Sequence, residues 1–160
     1  MNKILRYFLL RLLVFTPKCW PDRFYLKSLY YIENGKRLNL DNPTTFNEKL
    51  NWLKLHDHNP LYRTLVDKYK VKKIVEEKIG PEYVVKNYAV YNSVDEIDLD
   101  SLPDSFVLKA THDSEGVILC KSKSSFDLEA AKKKLKRQLS IDYYWRTREW
   151  VYKEPEPKII

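Results

Sequence analysis

The sequence predicts an α+β fold, in which a helical amino-terminal region precedes two short strands and one further helix. Apolar residues recur at helical spacing through the first half of the chain, and the segment 43–48 carries a helix capping box. Two β-prone runs, 106–110 and 117–120, follow with a polar loop between them. The segment 127–139 then returns to helical spacing, with leucines and an alanine on one stripe and lysines largely off it. Helices with intervening strands argue for a mixed α and β fold.

The composition indicates a folded chain that binds something anionic. The 160 residues are 44% hydrophobic and 14% aromatic with only three glycines, which is enough apolar material for a core and is unlike a disordered sequence. The net charge of +7 favours a phosphorylated substrate, an acidic membrane leaflet or nucleic acid, and charge alone does not choose among them. Cys19 and Cys120 lie far apart without CxxC spacing, so we expect no disulfide framework and a cytoplasmic location.

The segment 1–15 is dominated by leucine, isoleucine and phenylalanine, yet it predicts neither a transmembrane helix nor a secretory signal. Arg6 and Arg11 interrupt the apolar stretch, which is too short to span a bilayer. On a helical wheel the basic residues fall within an arc of about 140° and leave a broad apolar face. That face consists of Ile4, Leu5, Phe8, Leu9, Leu12 and Phe15. Such a helix suits a membrane interface, and it equally suits the protein's own core or a partner's.

Turn and capping signals predict the elements between this helix and the first strand. Three helices come first: one that ends at Asn34-Gly35, one from Thr45 to near Pro60 and one over 62–78. A strand over 83–91 follows, and then a short acidic turn that a second capping box opens at 93–96. A boundary between two lobes is best placed near Asp104, after the acidic turn and before the first β-prone run.

Three stretches, in matching order and spacing, resemble the TupA-like ATP-grasp family. They are NPTTFNEKLNWLKL at 42–55, VDKY at 66–69 and LPDSFVLKATHDS at 102–114. The later REWVYK at 148–153 and PKII at 157–160 look like the segment of that family that leads into its adenine-contacting strand. The resemblance covers the chain from about residue 38 to its last residue. We therefore divide the chain into an amphipathic helical segment at 1–40 that suits a membrane interface, an amino-terminal α/β lobe at 41–104 and, as the resemblance implies, part of a nucleotide-binding lobe at 105–160.

What the resemblance implies is ATP-dependent ligation through an acyl-phosphate, with ATP and magnesium as cofactors of the complete family member. The family is associated with capsule, teichuronopeptide and other surface polysaccharide pathways, often under the label glycosyltransferase, so a polysaccharide precursor is the implied partner. Carried over by position, Lys109 would approach the nucleotide phosphates and the following loop would fold over them. The implied nucleotide-binding residues are therefore Lys109, Thr111, His112, Asp113, Ser114 and Gly116.

The chain departs from the family pattern in two ways. Glu115 stands where the family usually has glycine, and a carboxylate there would repel phosphate. The resemblance also implies that the adenine clamp and the magnesium ligands lie beyond Ile160. We therefore expect a partial ATP-grasp protein that is inactive alone, and we assign no catalytic and no metal-binding residue.

Other interpretations rest on weaker patterns. The run 112–114 contains the residue types of a hydrolase triad, but sequence neighbours project differently, and 56–58 is better explained as a solvated helix end than as a metal site. The lysine-rich helix favours a solvated face over a nucleic-acid interface, because no recognised nucleic-acid-binding motif accompanies it. The main alternative function is a non-catalytic basic module that binds an anionic membrane surface, through residues 1–15, or a partner protein.

Overall fold

The computed structural model describes residues 2–113 and 116–160, and within them the chain forms a helix-rich structure with a small antiparallel sheet. In chain order the elements are α1 (Lys3–Phe15), α2 (Asp22–Asn34), α3 (Phe46–His56), α4 (Leu61–Val66), α5 (Lys70–Ile79), β1 (Phe106–Lys109), β2 (Val117–Cys120), α6 (Leu128–Leu139) and α7 (Tyr143–Thr147). This architecture is compatible with the predicted α+β class. The chain divides into two compact units, one of residues up to Asn59 with 142–153, the other of 60–141 with 154–160. The predicted segment boundaries at 40 and 104 stay predictions.

The first unit is built on the contact between α1 and α2. Leu13 is buried against Tyr25 and Ile32, and partly buried Leu10 packs on the same cluster. The predicted end of α2 is confirmed, because Gly35 follows Asn34 with a φ of 68°, a left-handed conformation that glycine adopts without steric cost. A second cluster, Leu26 with Leu38 and Leu40, lies on the following segment.

The predicted capping box at the start of α3 is confirmed. The Thr45 hydroxyl accepts a 3.3 Å hydrogen bond from the Glu48 amide, and the Glu48 carboxylate accepts from the amides of Thr45 at 2.9 Å and Thr44 at 3.0 Å. Hydrogen bonds from these two amides, Thr45 first, lower the pKa of Glu48 from 4.5 to about 2. The α3 start is therefore fixed by local bonds that require an ionised carboxylate.

Arg148 is the buried polar centre of the first unit. Its guanidinium carbon lies 4.2 Å from the centroid of the Tyr25 ring and 4.9 Å from that of Trp145. It forms a 3.2 Å ion pair with Asp22 and donates a hydrogen bond to the Pro17 carbonyl. Its backbone has a φ of 57°, uncommon for a residue with a side chain. Stacking, charge and hydrogen bonding together hold the segment after α7 on α2.

The second unit is organised around a β-hairpin whose inner face carries the core. β1 and β2 pair antiparallel in the register Phe106↔Cys120 to Lys109↔Val117. The core consists of Tyr91, Val94, Ile97, Leu102, Phe106, Leu108, Cys120, Leu135 and Ile159. The last residues of the chain lie along the other edge of β1. Ile160 exchanges two backbone hydrogen bonds with Lys109, and Ile159 exchanges two with Tyr91.

The predicted helix over 127–139 is confirmed, with bounds of Leu128–Leu139. The Asp127 side chain accepts from the Ala130 amide at 2.9 Å and caps the helix. Along the predicted stripe, Ala131 and Leu135 are buried, and Leu128 and Leu139 pack partly buried on the core. Here a local cap and a helical stripe were sufficient to predict the element.

Three of the predicted elements are wrong in detail. The helix predicted over 62–78 is broken into α4 and α5, because the Asp67 carboxylate accepts from the amides of Tyr69 and Lys70 and turns the chain. The segment 83–91 is not a strand, since within it only Tyr91 forms a β-bridge, to Ile159. The turn at Val94–Glu96 exists, but Glu96 accepts from the Asn92 amide rather than closing a capping box.

The helix predicted at the amino terminus is confirmed as α1. Among the residues that the structure describes, no helix combines the length and the hydropathy needed to cross a membrane.

We expect acid to weaken the start of α3 through Glu48. The folded-state pKa of about 2 lies below the ordinary 4.5, so the stabilisation is present above about pH 4.5 and is lost as the pH falls towards 2. Glu48→Gln should flatten the pH dependence in this window, measured by thermal melts followed by circular dichroism. Glu77→Gln on exposed α5 is the control. The linkage is absent if wild type and E48Q show the same slope.

Arg148→Met should destabilise the protein by about 2–4 kcal/mol, because it removes the cation that is paired with Asp22 and that donates to the partly buried Pro17 carbonyl. Denaturant unfolding followed by tryptophan fluorescence measures the change, with Trp145 beside the substituted residue as a reporter. Arg146→Met removes an exposed arginine two positions away and should cost much less. Equal costs for the two variants would contradict a special role for the buried guanidinium.

Candidate functional site

The alternation of side chains along β1 places Lys109 on the face opposite the core. Phe106 and Leu108 are buried, whereas Val107 and Lys109 lie on the other face, with Lys109 partly buried. The Lys109 amide donates to the Ile160 carbonyl at 2.8 Å, and its carbonyl accepts from the Ile160 amide at 2.9 Å. With its backbone fixed in this way, the side chain is held at a defined position at the end of β1.

A second lysine, Lys68, reaches the residues that follow β1. Its amide donates to the Thr111 carbonyl at 3.0 Å. Its ammonium group donates to the carbonyl of Ala110 at 3.2 Å and to that of Asp113. An ammonium group has three hydrogens to donate and no acceptor, so it is suited to collecting several carbonyl oxygens. Lys68 thus ties the break between α4 and α5 to the loop after β1.

A third lysine, Lys72, lies in the first turn of α5. Its ammonium group donates to the Val85 carbonyl at 2.6 Å and to the Asn87 side chain. Burial lowers the pKa of Lys72, and the charge of Lys109 lowers it further. Burial also lowers the pKa of Lys68; there the Asp113 carboxylate opposes the shift and Lys109 reinforces it. Lys109 is therefore close enough to both of the other lysines for their positive charges to repel.

Lys72 and Lys109 line a cleft in the second unit, and Lys68 lies outside its lining, near Lys109. A cavity of about 230 Å³ is lined on one side by Lys72 and the segment 85–89 and on the other by β1, including Lys109. A wider open cleft of about 1030 Å³ continues from it between α5 and the segment 81–90. Among the described residues, no carboxylate forms an ion pair with Lys109. We call Lys68, Lys72 and Lys109 the lysine cluster.

The loop residues expected to contact phosphate are mostly turned into the protein. The structure brings Thr111, His112 and Asp113 together directly after β1, but all three side chains are buried. The Thr111 amide donates to the Lys158 carbonyl at 2.9 Å, and the Thr111 hydroxyl accepts from the Lys158 amide at 3.1 Å. Burial lowers the pKa of His112, so this imidazole is neutral at pH 7. Their assignment to phosphate contact stays a prediction.

The remaining predicted positions are Gly116 and Ser114. Gly116 is buried, and a Cβ built on it would lie 2.1 Å from an Asp113 carboxylate oxygen and 2.9 Å from the Gln138 side chain. Glycine is therefore required there by close packing, independently of any ligand. Ser114, like Glu115, lies outside the residues that the structure describes.

The histidines at the end of α3 are engaged with aromatic rings. His56 stacks on Trp52 at 4.4 Å between ring centroids, and His58 stacks on Trp150 at 5.1 Å. Within residues 2–113 and 116–160, no group of three or more His, Cys, Asp or Glu side chains is placed to hold a metal ion.

Sequence analysis missed Lys68 and Lys72 as site residues. Lys68 is part of the VDKY stretch that contributes to the family resemblance, and this was the available signal. Lys72 carries no sequence signal, because its role depends on the segment 85–87 folding against α5.

The fold and the cluster define an α+β protein with a cationic cleft beside a β-hairpin. The family model described as TupA-like ATPgrasp matches residues 48–160, which is more than half of the chain, and the chain belongs to this family. The predicted family resemblance is thereby confirmed. No curated protein and no solved structure matches the chain.

Gly116→Ala should destabilise the protein by about 1–3 kcal/mol, because the added methyl group would overlap the buried Asp113 carboxylate. Thermal or denaturant unfolding measures the cost. The same substitution made in an Asp113→Ala background should cost clearly less, since the nearer of the two overlapping groups is then gone and only the Gln138 side chain remains. If the two costs are equal, the packing explanation for Gly116 is wrong.

Proposed function

We propose that the second unit forms the phosphate-binding part of an ATP-grasp nucleotide site, in a cytoplasmic protein of bacterial cell-surface polysaccharide biosynthesis. The observation that carries the proposal is the lysine cluster: Lys109 at the end of β1 and Lys72 of α5 line one cleft, and Lys68 is close enough to Lys109 for their charges to repel. Family membership supplies the nucleotide class. The association of the family with capsule and teichuronopeptide pathways supports the biosynthetic role.

The charges of the cluster fit a polyphosphate. Lys109 repels both Lys68 and Lys72, and the ammonium groups of these two lose hydration on burial. An anion placed among them would offset both costs and would favour their charged forms. Phosphate oxygens accept hydrogen bonds from ammonium groups at short range, and such charge-assisted bonds are among the stronger ones in proteins. The cluster is therefore better matched to phosphate than to a neutral ligand.

The lysines would divide the work in binding ATP. Lys109 has its backbone fixed and its side chain directed away from the core, so it would contact phosphate oxygens directly. The Lys68 ammonium group donates its hydrogen bonds largely to loop carbonyls, so it would contribute positive charge and hold the loop in place. When bound, ATP would supply the phosphoryl group that activates a carboxylate for ligation. The described residues include no cluster suited to magnesium, and we propose no metal site on them.

Lys109→Met should weaken the binding of ATP and of tripolyphosphate at least tenfold, because the loss of one charge-assisted hydrogen bond costs about 1.5–3 kcal/mol and about 1.4 kcal/mol is a factor of ten. Isothermal titration calorimetry measures the dissociation constants. Lys121→Met is the matched control, because it removes the same charge from an exposed lysine just after β2.

Two results would contradict the proposal. One is equal weakening in K109M and K121M, which would mean that ligands bind through net charge alone. The other is no measurable binding by the wild-type chain at millimolar ATP or tripolyphosphate. Tenfold weakening in K109M with unchanged binding in K121M supports it, provided that circular dichroism shows the same folded content in both variants.

A further inference from the structure

Helix α1 packs on the first unit through its less apolar side. Leu10 and Leu13 contact the cluster around Tyr25 and Ile32. Arg6 lies on this same side of the helix, and its guanidinium donates a 2.6 Å hydrogen bond to the Glu33 carbonyl. The side that α1 turns towards its own unit is thus the side that carries a charged residue.

The uninterrupted apolar face is left exposed to solvent. Of its six residues, Ile4 is 66% exposed, Phe8 63% and Phe15 72%, and the other three are also exposed. This face spans an arc of about 140° on the helix with no charged residue inside it. A helix that served only its own unit would bury this face first, so the opposite orientation points to an external apolar surface.

The exposed surface continues from α1 onto α2. An apolar groove of about 210 Å³ runs between the two helices, and Leu9 and Leu12 of α1 form one of its walls. On the α2 side, Phe24 is 51% exposed and stacks on Trp20 at 5.2 Å between ring centroids. Aromatic rings with an apolar body are typical of membrane–water interfaces. The surface formed by α1, Trp20 and Phe24 is called the amino-terminal apolar surface below.

The charges around this surface are those that an anionic bilayer attracts. Residues 1–20 contain Lys3, Arg6, Arg11 and Lys18 and no acidic residue. The Arg11 guanidinium lies at the edge of the apolar face, 5.0 Å from the Tyr7 ring centroid and 5.5 Å from that of Phe15. In that position the alkyl stem of Arg11 would cover apolar surface while its charge would face the headgroups of a lipid bilayer. The acidic residue Asp22, at the start of α2, is paired with Arg148.

We propose that the amino-terminal apolar surface docks on an anionic phospholipid bilayer, with α1 lying in the plane of the interface. Apolar burial and the attraction of basic residues to anionic lipid both favour this arrangement. A second copy of the chain is a poorer occupant, because it would bring another four basic residues to the same surface and the like charges would repel. The proposal concerns the first unit and is independent of the lysine cluster in the second.

Co-sedimentation with vesicles tests the proposal directly. The full chain should bind vesicles of phosphatidylcholine with about 30% phosphatidylglycerol, bind pure phosphatidylcholine at least tenfold more weakly, and lose affinity for the anionic vesicles as salt is raised. The double variant Phe8→Glu with Leu12→Glu should lower binding to the anionic vesicles at least tenfold, because charges replace two exposed residues of the apolar face. Neither residue belongs to the core, so circular dichroism should show the fold retained.

Phe46→Glu is the matched control, because Phe46 is an equally exposed aromatic residue of the first unit, 74% exposed, outside the amino-terminal apolar surface. Sedimentation velocity of the protein alone tests the alternative occupant. Three results would overturn the proposal: no binding to anionic vesicles, equal losses in the double variant and in F46E, or a stable dimer that the double variant dissolves. None of these would affect ATP binding at Lys109, which separates this proposal from the preceding one.

Discussion

The second unit depends on the contacts that the partly buried ammonium group of Lys68 makes with the loop after β1. By donating to the carbonyls of Ala110 and Asp113, it turns the loop after β1 inwards, where Thr111 then pairs with Lys158. The same residue sits at the break between α4 and α5, so one side chain fixes a helix boundary and a loop conformation together. The repulsion between Lys68 and Lys109 is a consequence of this arrangement, because the carbonyls hold the Lys68 ammonium group near Lys109.

Each unit has a cationic side chain with several partners, fully buried at Arg148 and partly buried at Lys68, and the choice of side chain follows from those partners. Arg148 lies among aromatic rings, and a planar guanidinium can stack on Tyr25 while its edge bonds to a carboxylate and a carbonyl. Lys68 faces carbonyl oxygens from one loop, for which a compact group with three hydrogens is better suited. A lysine at position 148 would lose the stacking on aromatic rings, and an arginine at position 68 would not collect the loop carbonyls as well as an ammonium group does.

Sequence analysis succeeded where the determinants are local. The capping box of Thr45 and Glu48, the glycine after α2 and the apolar stripe of α6 each act within a few residues, and each was confirmed. It failed at two places. At Asp67 a side chain that bonds to the amides of Tyr69 and Lys70 breaks a pattern that reads as one continuous helix, and the segment 83–91 lacks a neighbouring strand, which depends on residues far along the chain. The position of Lys109 on a strand followed from pattern and resemblance. Its proximity to Lys68 and Lys72 is tertiary and could not be predicted from spacing.

The net positive charge of the chain is also less informative in the sequence than in the structure, which shows where the basic residues lie. A net charge of +7 indicates an anionic partner without identifying one. In the structure, one group of basic residues surrounds a cleft beside β1, where partial burial suits a compact and highly charged ligand. Another group borders the apolar face of α1, where exposed aliphatic and aromatic side chains suit an extended surface. Besides the lysine-rich helix α6, basic residues therefore lie on two surfaces of different chemistry, and a single anionic partner would leave one of these two surfaces unexplained.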